Sequence, residues 1–268
     1  MVRLVFLLLL LESSSLSIPC MPASSSLGSM CGAEAAPFVK GSVGGGGGQV
    51  HHVVRVLTFG DSLTAGWTLN AREFHPYSEI INEIWKPQGS VAVDHVGVSG
   101  ETAVELAKGV NDIGRTYTCA AGRSWKSLSA VIHDAEQRSQ PYAYVVIMAG
   151  TNDLRSTPPE TIFEALKELH TACWHRGLRT LALTIPGLAA EQTRRYRHIS
   201  VTRASVNDAL RDMVSKNRDR TALVNLDDYV PFSRESEMWD VDGLHMTKRG
   251  YEEVARAVVV TLRQLIGE

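Results

Sequence analysis

The chain has 268 residues, with 27 Lys and Arg against 29 Asp and Glu, for a formal net charge of -2. Hydrophobic residues make up 44% and charged residues 21%, proportions that exclude a wholly disordered chain. Near-neutrality excludes a globally basic nucleic-acid binder, and four cysteines with no Cys-x-x-Cys pair exclude a disulfide scaffold and indicate no zinc or redox site.

Residues 1–52 differ from the rest. They hold nine Ser, eight Gly and only four charges (Arg3, Glu12, Glu34, Lys40), and they end in the run Gly44 to Gly48. Such a segment buries too little apolar surface to offset its ordering entropy, so it reads as a leader and flexible linker. The glycine run is no phosphate loop, because no Gly-Lys-Ser/Thr follows it. Arg3 precedes eight apolar residues, Leu4 to Leu11, far short of the roughly 20 that span a bilayer. This fits the core of a secretory signal, with Ser15 and Ser17 as a small-x-small cleavage site. An organelle transit peptide is the alternative. A cut after Ser17 would leave Cys20 and Cys31 in an oxidising compartment, where they could pair.

The remaining 216 residues suit one α/β domain. Apolar runs predict strands over 53–59, 91–98, 142–149, 178–185 and 222–226, nearly unbroken as in strands buried on both faces. Helical spacing appears between them. Residues 161–174 place Phe163, Leu166, Leu169 or His170, and Cys173 on one face, with Gly177 as the stop. Residues 200–214 align Val206, Leu210 and Met213. Thr247 can cap a last helix carrying Val254, Val258, Leu262 and Leu265. Strands alternating with helices give a parallel sheet covered on both sides, with ligands at the carboxyl ends of its strands.

Four of those ends or their neighbours carry chemistry. After the first strand come Gly60-Asp61-Ser62-Leu63-Thr64, which place a hydroxyl at the sheet edge, although Ser62 could equally be a plain helix cap. The second strand runs into Gly97-Val98-Ser99-Gly100-Glu101-Thr102, where a glycine lets backbone N–H approach a ligand. The third ends in Gly150-Thr151-Asn152-Asp153, which reads as an amide donor or as an ordinary turn. Near the C-terminus lies Trp239-Asp240-Val241-Asp242-Gly243-Leu244-His245. A serine nucleophile needs a base near neutral pH, and the base needs an acceptor that fixes its tautomer. Of nine histidines, only His245 has a near-upstream carboxylate and a place just before the final helix.

In chain order these four blocks resemble the GDSL lipase/esterase family, the SGNH hydrolases. The match runs through Gly60-Asp61-Ser62-Leu63-Thr64, Gly100, Gly150-Thr151-Asn152-Asp153 and Asp242-Gly243-Leu244-His245. The resemblance implies a flavodoxin-like, three-layer α/β/α sandwich on a five-stranded parallel sheet. It implies a serine esterase with Ser62 as nucleophile, His245 as base and Asp242 as its partner. The oxyanion hole would come from the Ser62 N–H, the Gly100 N–H and the Asn152 side chain. Asp240 competes with Asp242, and the family spacing favours Asp242. Asp61 and Asp153 are expected to brace the loops. No cofactor or metal is required, and the partner is a small-molecule ester rather than nucleic acid or a membrane span. An acyltransferase on the same site, or a non-catalytic binding module, are the other readings.

Two departures stand out. Met246 follows His245 where many relatives carry Pro. Residues 108–129, with Tyr117, Cys119 and Trp125, look longer than the family usually has there and read as a surface insertion, with a lid or part of the acyl pocket as the alternatives. Cys119 and Cys173 are either a pair or two unrelated thiols. The basic run Arg194-Arg195-Tyr196-Arg197-His198 reads as a solvated loop or helix start, with a role facing an anionic substrate group or a membrane surface as the alternative. Phe74, His75, Pro76 and Tyr77 either line a pocket or pack the first helix.

Overall fold

The structure, a computed structural model, describes residues 53–69, 72–118 and 124–267. The expected leader and linker (1–52) and Cys119 lie outside the described residues. In chain order the elements begin β1 (Val54–Gly60), α1 (Ser62–Ala65), β2 (Trp67–Thr68), β3 (Glu73–Phe74), α2 (Tyr77–Trp85), β4 (Val91–Gly97) and α3 (Ala103–Ala107). There follow β5 (Thr116–Thr118), β6 (Ser124–Lys126), α4 (Leu128–Gln137), β7 (Tyr144–Met148), α5 (Pro159–Trp174) and β8 (Arg179–Leu183). The chain closes with α6 (Arg197–Lys216), β9 (Thr221–Val224) and α7 (Lys248–Ile266).

Five strands form one parallel sheet in the order β4-β1-β7-β8-β9. This is the flavodoxin-like order, with the chain reversing direction across the sheet after β4. All five strands coincide with the apolar runs to within two residues at each end. The alternation along β7 shows why the run is unbroken. Val145 and Ile147 enter a core built with α3, α4, α5 and α6, while Tyr144, Val146 and Met148 enter a second core under α2 and α7. A strand covered on both faces has no polar side to show, and each aliphatic side chain so buried contributes about 1.5–3 kcal/mol.

The three helices expected from periodicity are α5, α6 and α7, extended by up to three residues. Thr247 caps α7, its hydroxyl accepting from Gly250 N–H at 3.4 Å, and Gly177 has φ +74° just beyond α5. His170 is a core residue. Its Nδ1 lies 2.8 Å from Thr180 Oγ1, and burial lowers its pKa to about 3. Cys173 is buried and free, its thiol pushed up to about 12 by burial.

The long segment before α4 folds as the hairpin β5–β6, pairing Tyr117 with Trp125. Tyr117 is buried and donates to the Leu106 carbonyl at 2.8 Å, which ties the hairpin to α3. The basic run makes a short 3-10 turn and the start of α6, with Tyr196 stacked against Arg155 and Arg195. Phe74 packs on Trp67, and Tyr77 is fully buried in the core beneath α2. Among the described residues no helix is long and apolar enough to cross a membrane.

Candidate active site

Because the strands are parallel, their carboxyl ends share one edge of the sheet, and the four sequence blocks collect there. Gly60 closes β1 where the chain has no room for a side chain: a Cβ would sit 1.8 Å from the Met148 carbonyl oxygen. Gly97 is similarly pressed, its Cβ position 2.2 Å from the Ala65 nitrogen. These close approaches seat the turn after β1 tightly against β4 and β7. Asp61 then caps α1, its Oδ1 accepting from Leu63 N–H at 2.9 Å, and Gly66 ends the helix at φ +75°. Ser62, first residue of this short helix, is held at the strand end with 3% exposure.

His245 arrives from the other end of the chain, on the long connection between β9 and α7. That connection is irregular but internally bonded. Trp239 bridges Met246, Asp240 N–H donates to the His245 carbonyl at 2.9 Å, and Gly243 N–H donates to the Asp240 carbonyl at 2.9 Å. Gly243 sits at φ +63° against Ala189, whose N–H donates to the Gly243 carbonyl at 2.8 Å.

The imidazole spans Ser62 and Asp242. Nε2 lies 3.0 Å from Ser62 Oγ, and Nδ1 lies 2.6 Å from Asp242 Oδ2. The carboxylate on Nδ1 assigns the proton to that nitrogen and leaves Nε2 as an acceptor facing the serine. Asp242 Oδ1 accepts from the N–H groups of Leu244 and His245, each at 2.9 Å. Burial pushes the Asp242 carboxyl up, but the bond and charge of His245 and the two N–H donors hold it below the usual carboxylate range. Asp240 Oδ1 accepts from Val241 N–H at 2.6 Å.

Asn152 and Gly100 come together through a contact that spacing does not announce. Asn152 Nδ2 donates to the Glu101 carbonyl at 2.8 Å, tying the turn after β7 to the turn after β4. An amide NH₂ carries two protons, so one remains for another acceptor. Gly100 has φ +86° with open space where a Cβ would stand. Neither the Ser62 nor the Gly100 N–H meets an acceptor among the described residues. Asp153 braces the second turn, as expected: its carboxylate accepts from Ala103 N–H at 2.7 Å and Val104 N–H at 3.3 Å. Beside the His245 loop lies a cavity of about 100 Å³ lined by Phe232, Arg234, Trp239, Asp240, Val241 and Gly243. Among the described residues no group of three or more His, Cys, Asp or Glu could hold a metal ion.

A buried serine hydroxyl, an imidazole and a carboxylate in sequence, at the ligand-binding edge of a flavodoxin-like sheet, define the class of serine hydrolases. The sequence matches the GDSL-like Lipase/Acylhydrolase family over residues 58–253, and the chain belongs to that family of serine ester hydrolases. No curated protein matches the chain. Solved structures do. The lipase/acylhydrolase from Enterococcus faecalis superposes with a TM-score of 0.57 at 20% identity, over 79% of this chain and 96% of that one. A carbohydrate acetylesterase family member from Sinorhizobium meliloti gives a TM-score of 0.60 at 15% identity, over 81% and 100%. The psychrotrophic esterase EstA from Pseudoalteromonas sp. gives 0.57 at 15% identity, over 80% and 99%. At these identities the likeness is one of fold.

Proposed function

We propose that the chain hydrolyses small-molecule carboxylic esters, with Ser62 as nucleophile, His245 as general base and acid, and Asp242 as the group that orients His245. The observation that carries this reading is the continuous line from Ser62 Oγ through His245 to Asp242, at 3.0 Å and 2.6 Å. In the forward step Ser62 Oγ bonds to the acyl carbon as its proton passes to His245 Nε2. The carbonyl pair moves onto the oxygen. That oxyanion is received by the Ser62 N–H, the Gly100 N–H and the second Asn152 amide proton, donors that meet no other acceptor among the described residues. His245 then protonates the leaving alcohol, and water repeats the sequence to release the acid. The test uses the full chain with p-nitrophenyl acetate beside Ser62→Ala and His245→Ala. Loss of turnover in both variants with the fold retained supports the reading; a Ser62→Ala rate equal to the parent's refutes it.

A further inference from the structure

We propose that Asp61 is a positioning residue of the reaction: its ionised carboxylate, buried beside the nucleophile, helps hold the charge on His245 once the Ser62 proton has moved there. The inference rests on the Ser62–His245 reading above and goes beyond the loop-bracing role expected of Asp61.

Asp61 is fully buried. Its Oδ1 caps α1 through Leu63 N–H, but its Oδ2 has no hydrogen-bond partner among the described residues. A cap needs one oxygen, and Ser, Thr or Asn would supply it without burying a second. An unpartnered buried carboxylate oxygen is expensive in stability, so capping alone does not account for an aspartate here.

The titratable groups that face Asp61 come from four directions. His245 comes from the connection before α7, Asp153 from the turn after β7, Tyr77 from the start of α2 and Tyr251 from α7. Burial pushes both phenols far up, so they stay neutral while the enzyme works. Asp153 is itself raised by burial against its two N–H donors and repels a charge on Asp61. Of the four, only His245 can become positive. Burial pushes the Asp61 carboxyl up to about 7, against the opposing pull of Leu63 N–H and His245. Asp61 therefore changes charge in the range where a histidine base works.

In the proposed step the Ser62 hydroxyl proton goes to Nε2, the serine oxygen bonds to the acyl carbon, and the carbonyl pair becomes the oxyanion. The imidazolium then meets Asp242 at Nδ1 and is attracted by the Asp61 carboxylate, with which His245 interacts electrostatically. Asp61 gains and loses no atom in the cycle. It stabilises the charged intermediate more than the neutral resting pair, which is the differential a rate enhancement requires.

The test is the pH dependence of kcat/KM for the full chain with p-nitrophenyl acetate, from about pH 5 to pH 9, beside Asp61→Asn. Asparagine keeps the capping oxygen, so a purely structural role would leave the profile's shape unchanged. The expected result is an acid limb steeper than one ionisation in the parent. In the variant it becomes a single-ionisation limb, with about a tenfold lower plateau. Superimposable profiles would overturn the inference. A second measurement covers failure of the variant to fold: carboxyl NMR of Ser62→Ala protein carrying ¹³C-labelled aspartate. One resonance is expected to titrate at about pH 7; if every aspartate titrates below about pH 5, the inference falls. Ser62→Ala also separates the two claims. If it hydrolyses the ester at the parent's rate, the esterase reading itself fails, whatever the Asp61 profiles show.

Discussion

Asp242 and Asp61, the two carboxylates that the proposed reaction assigns to His245, are held in opposite ways. Asp242 sits on an irregular connection, bonded to the imidazole at one oxygen and to two backbone N–H groups at the other, and is held below the usual carboxylate range. Asp61 sits on the rigid turn after a central strand, with one oxygen satisfied and one orphaned, and is pushed up to about 7. The loop supplies a permanent charge with fixed geometry; the strand end supplies a charge that depends on pH. Neighbouring acids driven apart in this way are a recurring means of assigning different roles to one residue type.

The sharpest way to break that contrast is at the permanent charge. Asp242→Asn should lower kcat by roughly 10³–10⁴-fold, because the amide no longer enforces the tautomer that leaves Nε2 free. A loss under about tenfold, in steady-state kinetics of the folded variant, would place the orienting group elsewhere. Asn152→Ala should cut turnover by roughly 100–1,000-fold, with its acid limb where the parent's is, as the proposed oxyanion role requires. Unchanged turnover would remove Asn152 from the site.

The Asp61→Asn variant probes the strand-end carboxylate through stability. In the folded protein the acid is held protonated well above its ordinary value of 3.8. It stabilises the fold relative to a normal carboxyl at low pH, and that advantage is lost as pH rises through about 7. Asparagine never ionises. Its melting temperature should therefore gain on the parent's between about pH 4 and pH 8, read by thermal scans across pH; a constant gap would contradict a buried titrating carboxyl. The smallest effect belongs to Asp240→Asn, expected to change kcat less than about threefold, because the backbone bonds of Asp240 that frame His245 survive the change.

The sheet was legible because strands buried on both faces leave continuous apolar runs, and α5, α6 and α7 because long helices repeat their apolar residues. Helix α1, with four residues, has no period to read, and the hairpin β5–β6 is stabilised by a hydrogen bond from Tyr117 to a distant carbonyl. The site divides in the same way. Asp242 and His245 are three residues apart, so their pairing is local; Ser62 is 183 residues from His245, and only the ordered set of four blocks joined them. The Asn152 bond to the Glu101 carbonyl is made to backbone and leaves no mark on residue type. The orphaned Asp61 oxygen depends on what α2, α7 and the turn after β7 bring around it, which spacing along the chain does not contain.

The most direct test of Ser62 as nucleophile is covalent labelling with a fluorophosphonate followed by peptide mass spectrometry. The expected result is one phosphonyl adduct on Ser62, formed at the rate activity is lost and absent from His245→Ala, whose serine has no base. Inactivation with the adduct on another residue, or hydrolysis that persists while Ser62 is fully labelled, would contradict it.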